Sequence, residues 1–384
     1  MDYEKYMKIC IQLAKQGEGK VSPNPLVGCV ILDKDGNQIS TGFHSKYGEN
    51  HAERDALLKL KNGEEKDGTL IVNLEPCSHF GKTPPCTDLI VERGIKKVVI
   101  GIRDANPLVS GVQKLKDSGI EVVEGVLEDE CKELNEIFIK NMTQNKPFIA
   151  IKTATTLDGK IATSCGSSKW ITSSVAREEV KNIRNRYDAI MTTSSTILAD
   201  NPSMEHRKKI ILDRCLKTDL SAKIYQQGEI YLFHGENISG LLEAQRSRGQ
   251  EVRLFNKSNF CTNIQEQQSD NSLPSCLPAF LPSNTTLIKA PAVDNLLNLD
   301  FVFQKACELG IKSILIEAGG HLNGEALKYA DKIYHFLAPK ITGDNSSLSC
   351  FDFRQITDIN ECENFEIKSV EKFGKDVLLI YSRA

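Results

Sequence analysis

Three short stretches hold the side chains best suited to bond-breaking chemistry: His51-Ala52-Glu53, Glu75-Pro76-Cys77 and Pro85-Cys86. One imidazole and two thiolates supply three ligands of the kind zinc prefers, and water takes the open fourth position of a catalytic site. Zinc lowers the pKa of such a water toward about 7, which makes hydroxide available at neutral pH. Glu53 follows His51 by two residues at a helix start, where it can face the water without ligating. A carboxylate so placed takes the proton and passes it to a leaving amine. Cys86 opens a helix, and the helix dipole there favours the thiolate.

The pattern His-x-Glu followed by Pro-Cys is the signature of zinc deaminases, in which the Glu is general acid and base and two residues separate the cysteines. Here eight residues, Ser78 to Pro85, stand between Cys77 and Cys86. That insert is short and rich in turn formers, so both thiolates still reach one metal. Either pair alone reads equally well as buried thiols and a surface imidazole. Together, on a strand and helix frame, they point to a catalytic zinc site. A purely structural site needs four protein ligands, and only His79 offers one more.

The second half of the chain carries softer signals. Lys152 to Ala162 ends a strand in a small-residue turn, Ser167-Ser168-Lys169-Trp170-Ile171-Thr172 leads into a helix, and Ile316-Glu317-Ala318-Gly319-Gly320 runs from strand through two glycines into a helix. Glycines let a backbone approach a phosphate, and free N–H groups at a helix start point at the anion. The run is not G-x-G-x-x-G after a first strand, so it is not a Rossmann fingerprint, and a plain tight turn stays open. Thr153, Ser167 and Thr172 alone read as caps or edge-strand residues.

Periodicity and punctuation predict the elements that hold these residues. The first half reads as a helix from Asp2 to Gly17, strands at Val27–Leu32 and Gln38–Phe43 about an Asp35-Gly36 turn, and a helix at Ala52–Leu60. Strand Thr69–Leu74, helix Cys86–Arg93, strand Lys97–Ile102, helix Val112–Ser118, strand Glu121–Glu124 and helix Asp129–Lys140 follow. After a break at Thr143–Pro147 come strands at Phe148–Ala154, Ala189–Thr193, Ile210–Leu212, Glu229–Phe233, Ser313–Glu317, Lys332–Leu337 and Asp376–Tyr381. Helices are expected at Ser174–Arg186, Leu296–Leu309 and Leu322–Tyr329. Alternating strands and helices imply two α/β layers, the first with a mixed sheet. Residues 1–145 and 146–384 form two expected domains. The Asn/Gln/Ser/Pro-rich stretch 256–285 is expected to be a mobile surface insert.

The 384 residues suffice for two cores, and 40% hydrophobic with 26% charged residues is ordinary globular composition. A net charge of −3 gives no basic track for nucleic acid or anionic membrane. No apolar run reaches the roughly 18 residues of a membrane span. The start MDYEKYMKIC mixes acids and bases without an apolar core, so no signal peptide and a cytoplasmic location are expected. The 12 cysteines then read as reduced thiols, mostly small buried hydrophobes.

In order along the chain occur Pro23-Asn24-Pro25-Leu26-Val27-Gly28, His51-Ala52-Glu53, Glu75-Pro76-Cys77-Ser78-His79-Phe80-Gly81-Lys82-Thr83-Pro84-Pro85-Cys86, Leu157-Asp158-Gly159-Lys160, Lys169-Trp170-Ile171-Thr172, Ala199-Asp200-Asn201-Pro202 and Ala338-Pro339-Lys340. This set resembles the bifunctional riboflavin-biosynthesis deaminase/reductase family over nearly the whole chain except 256–285. The resemblance implies a cytidine-deaminase-like domain followed by a dihydrofolate-reductase-like one. The first would remove an amine hydrolytically from 2,5-diamino-6-ribosylamino-4(3H)-pyrimidinone 5′-phosphate; the second would reduce the ribosyl group to ribityl with NADPH.

By the same resemblance His51, Cys77 and Cys86 hold one Zn2+ per chain, Glu53 is the proton shuttle, and Asn24, His44, Lys82, Asp104 and Asn106 line the pyrimidine pocket. It puts Ala154, Trp170, Thr196, Asp200, Gly319 and Gly320 at NADPH, and Lys152, Ser168, Arg184, Arg207 and Glu317 at the reductase substrate. A planar, always charged guanidinium suits a phosphate. The implied partners are small phosphorylated pyrimidines and a second copy of the chain, with neither nucleic acid nor membrane. The chain departs from the family at Ser110-Gly111-Val112, which has one glycine where two are usual, and at Glu205, an anion beside an expected phosphate. Two other readings are a deaminase with a degenerate reductase-like domain and a zinc-dependent nucleic-acid editor; the charge balance opposes the latter.

Overall fold

A computed structural model describes residues 1–80, 84–235, 282–353 and 355–383. The chain divides into two compact units. One comprises Met1–Phe148 with Asn185–Asp188 and Ala306–Ser313; the other comprises Ile149–Arg184, Ala189–Lys305 and Ile314–Ala384. Lys82 and nearly all of the 256–285 stretch lie outside the described residues, and Thr285 already begins a strand.

In the first unit, α1 (Tyr3–Lys15) starts where Asp2 accepts the Lys5 N–H at 3.2 Å, and it buries Met7, Cys10 and Ala14. There follow β1 (Gly28–Leu32), β2 (Gln38–Phe43), α2 (Ala52–Leu58), β3 (Thr69–Leu74), α3 (Cys86–Glu92), β4 (Lys97–Ile102), α4 (Gly111–Asp117), β5 (Glu121–Val123), α5 (Glu128–Leu134) and α6 (Glu136–Gln144). The sheet order is β2-β1-β3-β4-β5. β1 runs antiparallel to both neighbours, and β3, β4 and β5 are parallel. β1 is buried at every position, and β3 and β4 at all but their first residues, as strands covered on both faces must be. Parallel strands leave the ends of β3 and β4 on one rim, where α/β sheets place their ligands.

The helix expected over Asp129–Lys140 is two helices. Asn135 breaks it with φ −110° and ψ 19°. Its buried side chain is committed elsewhere, accepting the Leu26 N–H at 2.8 Å and donating to the Leu26 carbonyl at 3.0 Å. Asn73 also donates to that carbonyl, at 2.9 Å, and accepts the Gly28 N–H at 2.7 Å. The segment carrying Asn24 is thus fixed by two asparagines from distant elements.

The chain from Phe148 onward, most of it in the second unit, forms β6 (Phe148–Thr155), β7 (Lys160–Ala162), α7 (Ser174–Asn185), β8 (Ala189–Thr193), α8 (Ser194–Asp200), β9 (Lys208–Leu212), β10 (Glu229–His234), β11 (Thr285–Lys289), β12 (Ala292–Val293), β13 (Leu296–Leu297), α9 (Leu299–Glu308), β14 (Ser313–Ile316), α10 (Gly320–Ala326), β15 (Lys332–Leu337), β16 (Leu348–Ser349), β17 (Phe365–Phe373) and β18 (Asp376–Arg383). Its described residues form a nine-stranded sheet in the order β11-β10-β9-β8-β14-β6-β15-β18-β17. The last two strands are antiparallel additions. The helix expected from Leu296 starts at Leu299, because Leu296 and Leu297 pair with β12 and Asn298 caps the Phe301 N–H at 2.9 Å. Helix α8 and strands β7, β11, β12, β13, β16 and β17 were not anticipated from the sequence. Asp158 accepts from Thr156 Oγ1, Thr342 N and Gly343 N, and Lys160 Nζ donates to the Ser347 carbonyl, so the Leu-Asp-Gly-Lys turn anchors the loop after Ala338-Pro339-Lys340. Among the described residues, no helix is long and apolar enough to cross a membrane.

Candidate metal centre and candidate reductase site

Three elements deliver the candidate metal donors. His51 is the residue before α2, Cys77 follows β3, and Cys86 is the first residue of α3. His51 Nδ1 lies 3.5 Å from Cys77 Sγ and 3.6 Å from Cys86 Sγ, and all three donor atoms fall within 4.8 Å of one another. A borderline nitrogen with two soft sulfurs is a donor set that fits zinc. The eight-residue insert therefore does not keep the thiols apart. Hydrogen bonding from Cys86 lowers the Cys77 thiol from its ordinary value, with His51 assisting. The same bond, with burial, pushes Cys86 up. The Cys86 N–H also donates to Cys77 Sγ, at 3.3 Å.

Glu53 lies in the first turn of α2 and is only 3% exposed. Burial, then the Cys77 charge, push its carboxyl up to about 7. A proton carrier works best with a pKa near the working pH. His44 is buried, and its ring meets that of His51 edge-on with centroids 5.4 Å apart. Burial lowers its pKa, so it is neutral. Its Nδ1 faces the Asn50 carbonyl at 2.9 Å and must carry the proton; its Nε2 therefore accepts from Asn24 Nδ2 at 3.1 Å. That bond turns the Asn24 amide so that its oxygen remains for a ligand. Asp104 and Asn106 share the loop after β4, where Asp104 Oδ1 accepts the Asn106 N–H at 2.8 Å. Burial foremost raises Asp104 to about 6. The sequence reading named Glu75 in the motif without giving it a role; its carboxylate accepts the Asp104 N–H at 3.1 Å and the Val112 N–H at 2.8 Å, and nothing local signals partners so far along the chain.

In the second unit Lys152, Arg184 and Glu317 come together. Arg184 grips Glu317 with two bonds, Nε to Oε1 at 2.5 Å and Nη2 to Oε2 at 3.0 Å, and Lys152 Nζ lies 3.1 Å from Oε2. Burial alone would raise the Glu317 pKa; Lys152 and Arg184 reverse that and hold it at about 2. Burial opposes the Arg184 charge as well, and Glu317 overcomes it. Glu205 adds its field to Arg184. Ser168 Oγ is 3.3 Å from Asp200 Oδ1. Trp170 is exposed, stacked on the Arg177 guanidinium at 4.3 Å, and its carbonyl accepts from Lys340. Ala154 lies on β6, Thr196 in α8 beside its cap Thr193, and Arg207 just before β9.

The folded-state pKa of Glu317 is below its unfolded value of about 4.3, so its stabilisation is complete above that value and fades as pH falls toward about 2. Melting temperatures of the chain and of Glu317→Gln should converge as pH is lowered from 7 to 3. A gap that widens on acidification would contradict the ion cluster.

Gly319 and Gly320 link β14 to α10. A Cβ on Gly320 would lie 2.1 Å from the Ser349 carbonyl oxygen, whereas Gly319 faces open space. Asn323 Nδ2 donates to the Cys350 carbonyl at 3.1 Å, and the Asp352 N–H to the Gly320 carbonyl at 3.0 Å, closing the turn from its other side. Gly320→Ala is expected to cost about 1–3 kcal/mol of stability in this half by overpacking, measurable by denaturant unfolding, while Gly319→Ala costs less.

Residues 1–102 match the cytidine and deoxycytidylate deaminase zinc-binding region, and residues 147–379 match the RibD C-terminal domain. The chain is similar to the riboflavin biosynthesis protein RibD of Actinobacillus pleuropneumoniae, 38% identical over 98% of this chain and 94% of that one. The corresponding protein of Aquifex aeolicus is 37% identical over 99% and 98%. The crystal structure of a diaminohydroxyphosphoribosylaminopyrimidine deaminase/5-amino-6-(5-phosphoribosylamino)uracil reductase from Thermotoga maritima is 36% identical, with a TM-score of 0.78 covering 100% of this chain and 99% of that one.

Proposed function

Since the chain belongs to the bifunctional riboflavin-biosynthesis deaminase/reductase family, we propose which of its residues perform each reaction, and in what order. The first unit removes an amine from 2,5-diamino-6-ribosylamino-4(3H)-pyrimidinone 5′-phosphate, with water entering and ammonia leaving. The second reduces the ribosyl group of that product to ribityl, with NADPH as hydride donor. The observation that carries the first assignment is the convergence of His51 Nδ1, Cys77 Sγ and Cys86 Sγ beside a buried Glu53.

When bound by His51, Cys77 and Cys86, zinc supplies a water acidified toward neutrality. Glu53 takes that proton on its carboxylate and delivers it to the departing nitrogen. Its burial keeps the transfer out of bulk solvent. Neutral His44 holds the Asn24 amide with its oxygen toward the base, and Asp104 and Asn106 meet the pyrimidine from the loop after β4. Lys82 belongs to the same pocket by its place in the motif.

For the reductase, the Gly319-Gly320 turn, Ala154, Trp170, Thr196 and Asp200 form the NADPH side. Lys152, Ser168, Arg184, Arg207 and Glu317 form the substrate side. Glu317 orders Lys152 and Arg184, so that two cations lie close together with one carboxylate between them, leaving net positive charge for a phosphate or sugar oxygen. The protein orients the hydride donor; the redox chemistry is the cofactor's. The second copy of the chain and a cytoplasmic setting belong to this same reading. No observation favours a degenerate second domain.

The test is a single preparation assayed for bound zinc, ammonia release from the diaminopyrimidine, and NADPH oxidation that follows it. Zinc near one per chain with both activities is expected. Ammonia release without any NADPH oxidation would remove the reductase assignment, and comparable kcat/KM with NADH would remove the cofactor preference.

A further inference from the structure

Glu75 lies between Leu74, the end of β3, and the ligand Cys77. Its side chain is buried, and a buried carboxylate is costly unless both oxygens are hydrogen-bonded. Both are, and by backbone: Oε2 accepts the Asp104 N–H at 3.1 Å and Oε1 the Val112 N–H at 2.8 Å. One amide lies near the start of the β4–α4 loop, which carries Asp104 and Asn106, and the other in the first turn of α4 just beyond it. Ser78 Oγ, on the other side of Cys77, accepts the Ser110 N–H of the same loop at 2.8 Å. Gly111 permits the approach, since a Cβ there would lie 2.0 Å from the Pro76 carbonyl oxygen. Asn106 follows Asp104, whose Oδ1 accepts its N–H.

We propose that Glu75 is a positioning residue of the deaminase: it holds the β4–α4 loop in register with the Cys77 loop, and so sets where Asp104 and Asn106 meet the pyrimidine. The inference rests on the deaminase reading above, in which those two residues line the base pocket. The chemistry at Glu75 calls for two acceptors. A glutamine of nearly the same shape turns its NH2 against one of the two N–H donors, so one end of the loop loses its tie while the packing is kept.

In the zinc-loaded full chain, Glu75→Gln is expected to raise the deaminase KM about tenfold, the scale of one buried hydrogen bond lost, while kcat changes by less than about threefold. Zinc stays near one per chain, and NADPH oxidation on the deaminated substrate is unchanged. Ser78→Ala, which cuts only the third tie, should raise KM in the same direction by less. In an Asp104→Asn background, Glu75→Gln should add little further, because both act through one loop. An unchanged KM in Glu75→Gln with zinc retained, or full additivity with Asp104→Asn, overturns the proposal. If Glu75→Gln loses zinc or fails to fold, Ser78→Ala decides, and an unmoved KM there overturns it. If Asp104→Asn alone leaves KM unchanged, the base-pocket reading itself falls and the proposal with it; if only Glu75→Gln leaves it unchanged, the proposal falls alone.

Discussion

Glu53→Gln is expected to keep zinc bound near one per chain and to lower deamination by about 10²–10⁴-fold, the usual contribution of a general acid–base group. The amide fills the same buried space in the first turn of α2 but neither accepts the proton nor releases one to the leaving nitrogen. Because Glu53 is no member of the donor triad, metal content should not follow activity. Cys86→Ser should do the reverse, since it removes one of the three donors. Metal analysis beside an ammonia assay checks both. Zinc lost together with activity in Glu53→Gln would move Glu53 from the proton path to the support of the metal.

Removing zinc with a chelator is expected to abolish deamination and leave reduction of pre-deaminated substrate largely intact. His51, Cys77, Cys86 and Glu53 all belong to the unit built on Met1–Phe148, and Lys152, Arg184, Glu317 and the Gly319-Gly320 turn belong to the other. NADPH oxidation measured before and after chelation, with circular dichroism to follow folding, gives the answer. A parallel fall of both activities in a chain that stays folded would mean a shared active centre.

The cluster of His51, Cys77 and Cys86 was legible in the sequence because metal-binding chemistry narrows residue type, and strand and helix ends fix where such residues can sit. β3 and α3 ended and began where the apolar runs and Pro85 placed them. The break at Asn135 was not legible: an asparagine at helical spacing looks like one more polar face position, and its reason to leave the helix is the backbone of Leu26, 109 residues earlier. Helix α8 was missed because it buries only Ile197, too little for a periodic stripe. Strand β17 was missed because its residues are exposed or half-buried at every position, so no apolar alternation marks it. In the reductase half the residue types for Lys152, Arg184 and Glu317 were in view, but not that they would hold one another. Pairings between distant strands decide that, and local spacing does not report them.

The grip of Asn135 on Leu26 has a consequence for how the chain can be cut. The similarity to a zinc-binding region stops at residue 102, and all three candidate donors precede it. A fragment ending there would still present His51, Cys77 and Cys86, yet it would free the Leu26 backbone from one of its two clamps and omit Asp104 and Asn106 altogether. The candidate donor cluster and the proposed base contacts therefore have different minimum lengths. The first lies within the sheet as far as β4; the second, with the Asn135 clamp on Leu26, extends past α5. Any shuffling of this half between proteins that respects only the zinc motif would carry over the candidate donors without the loop proposed to meet the base.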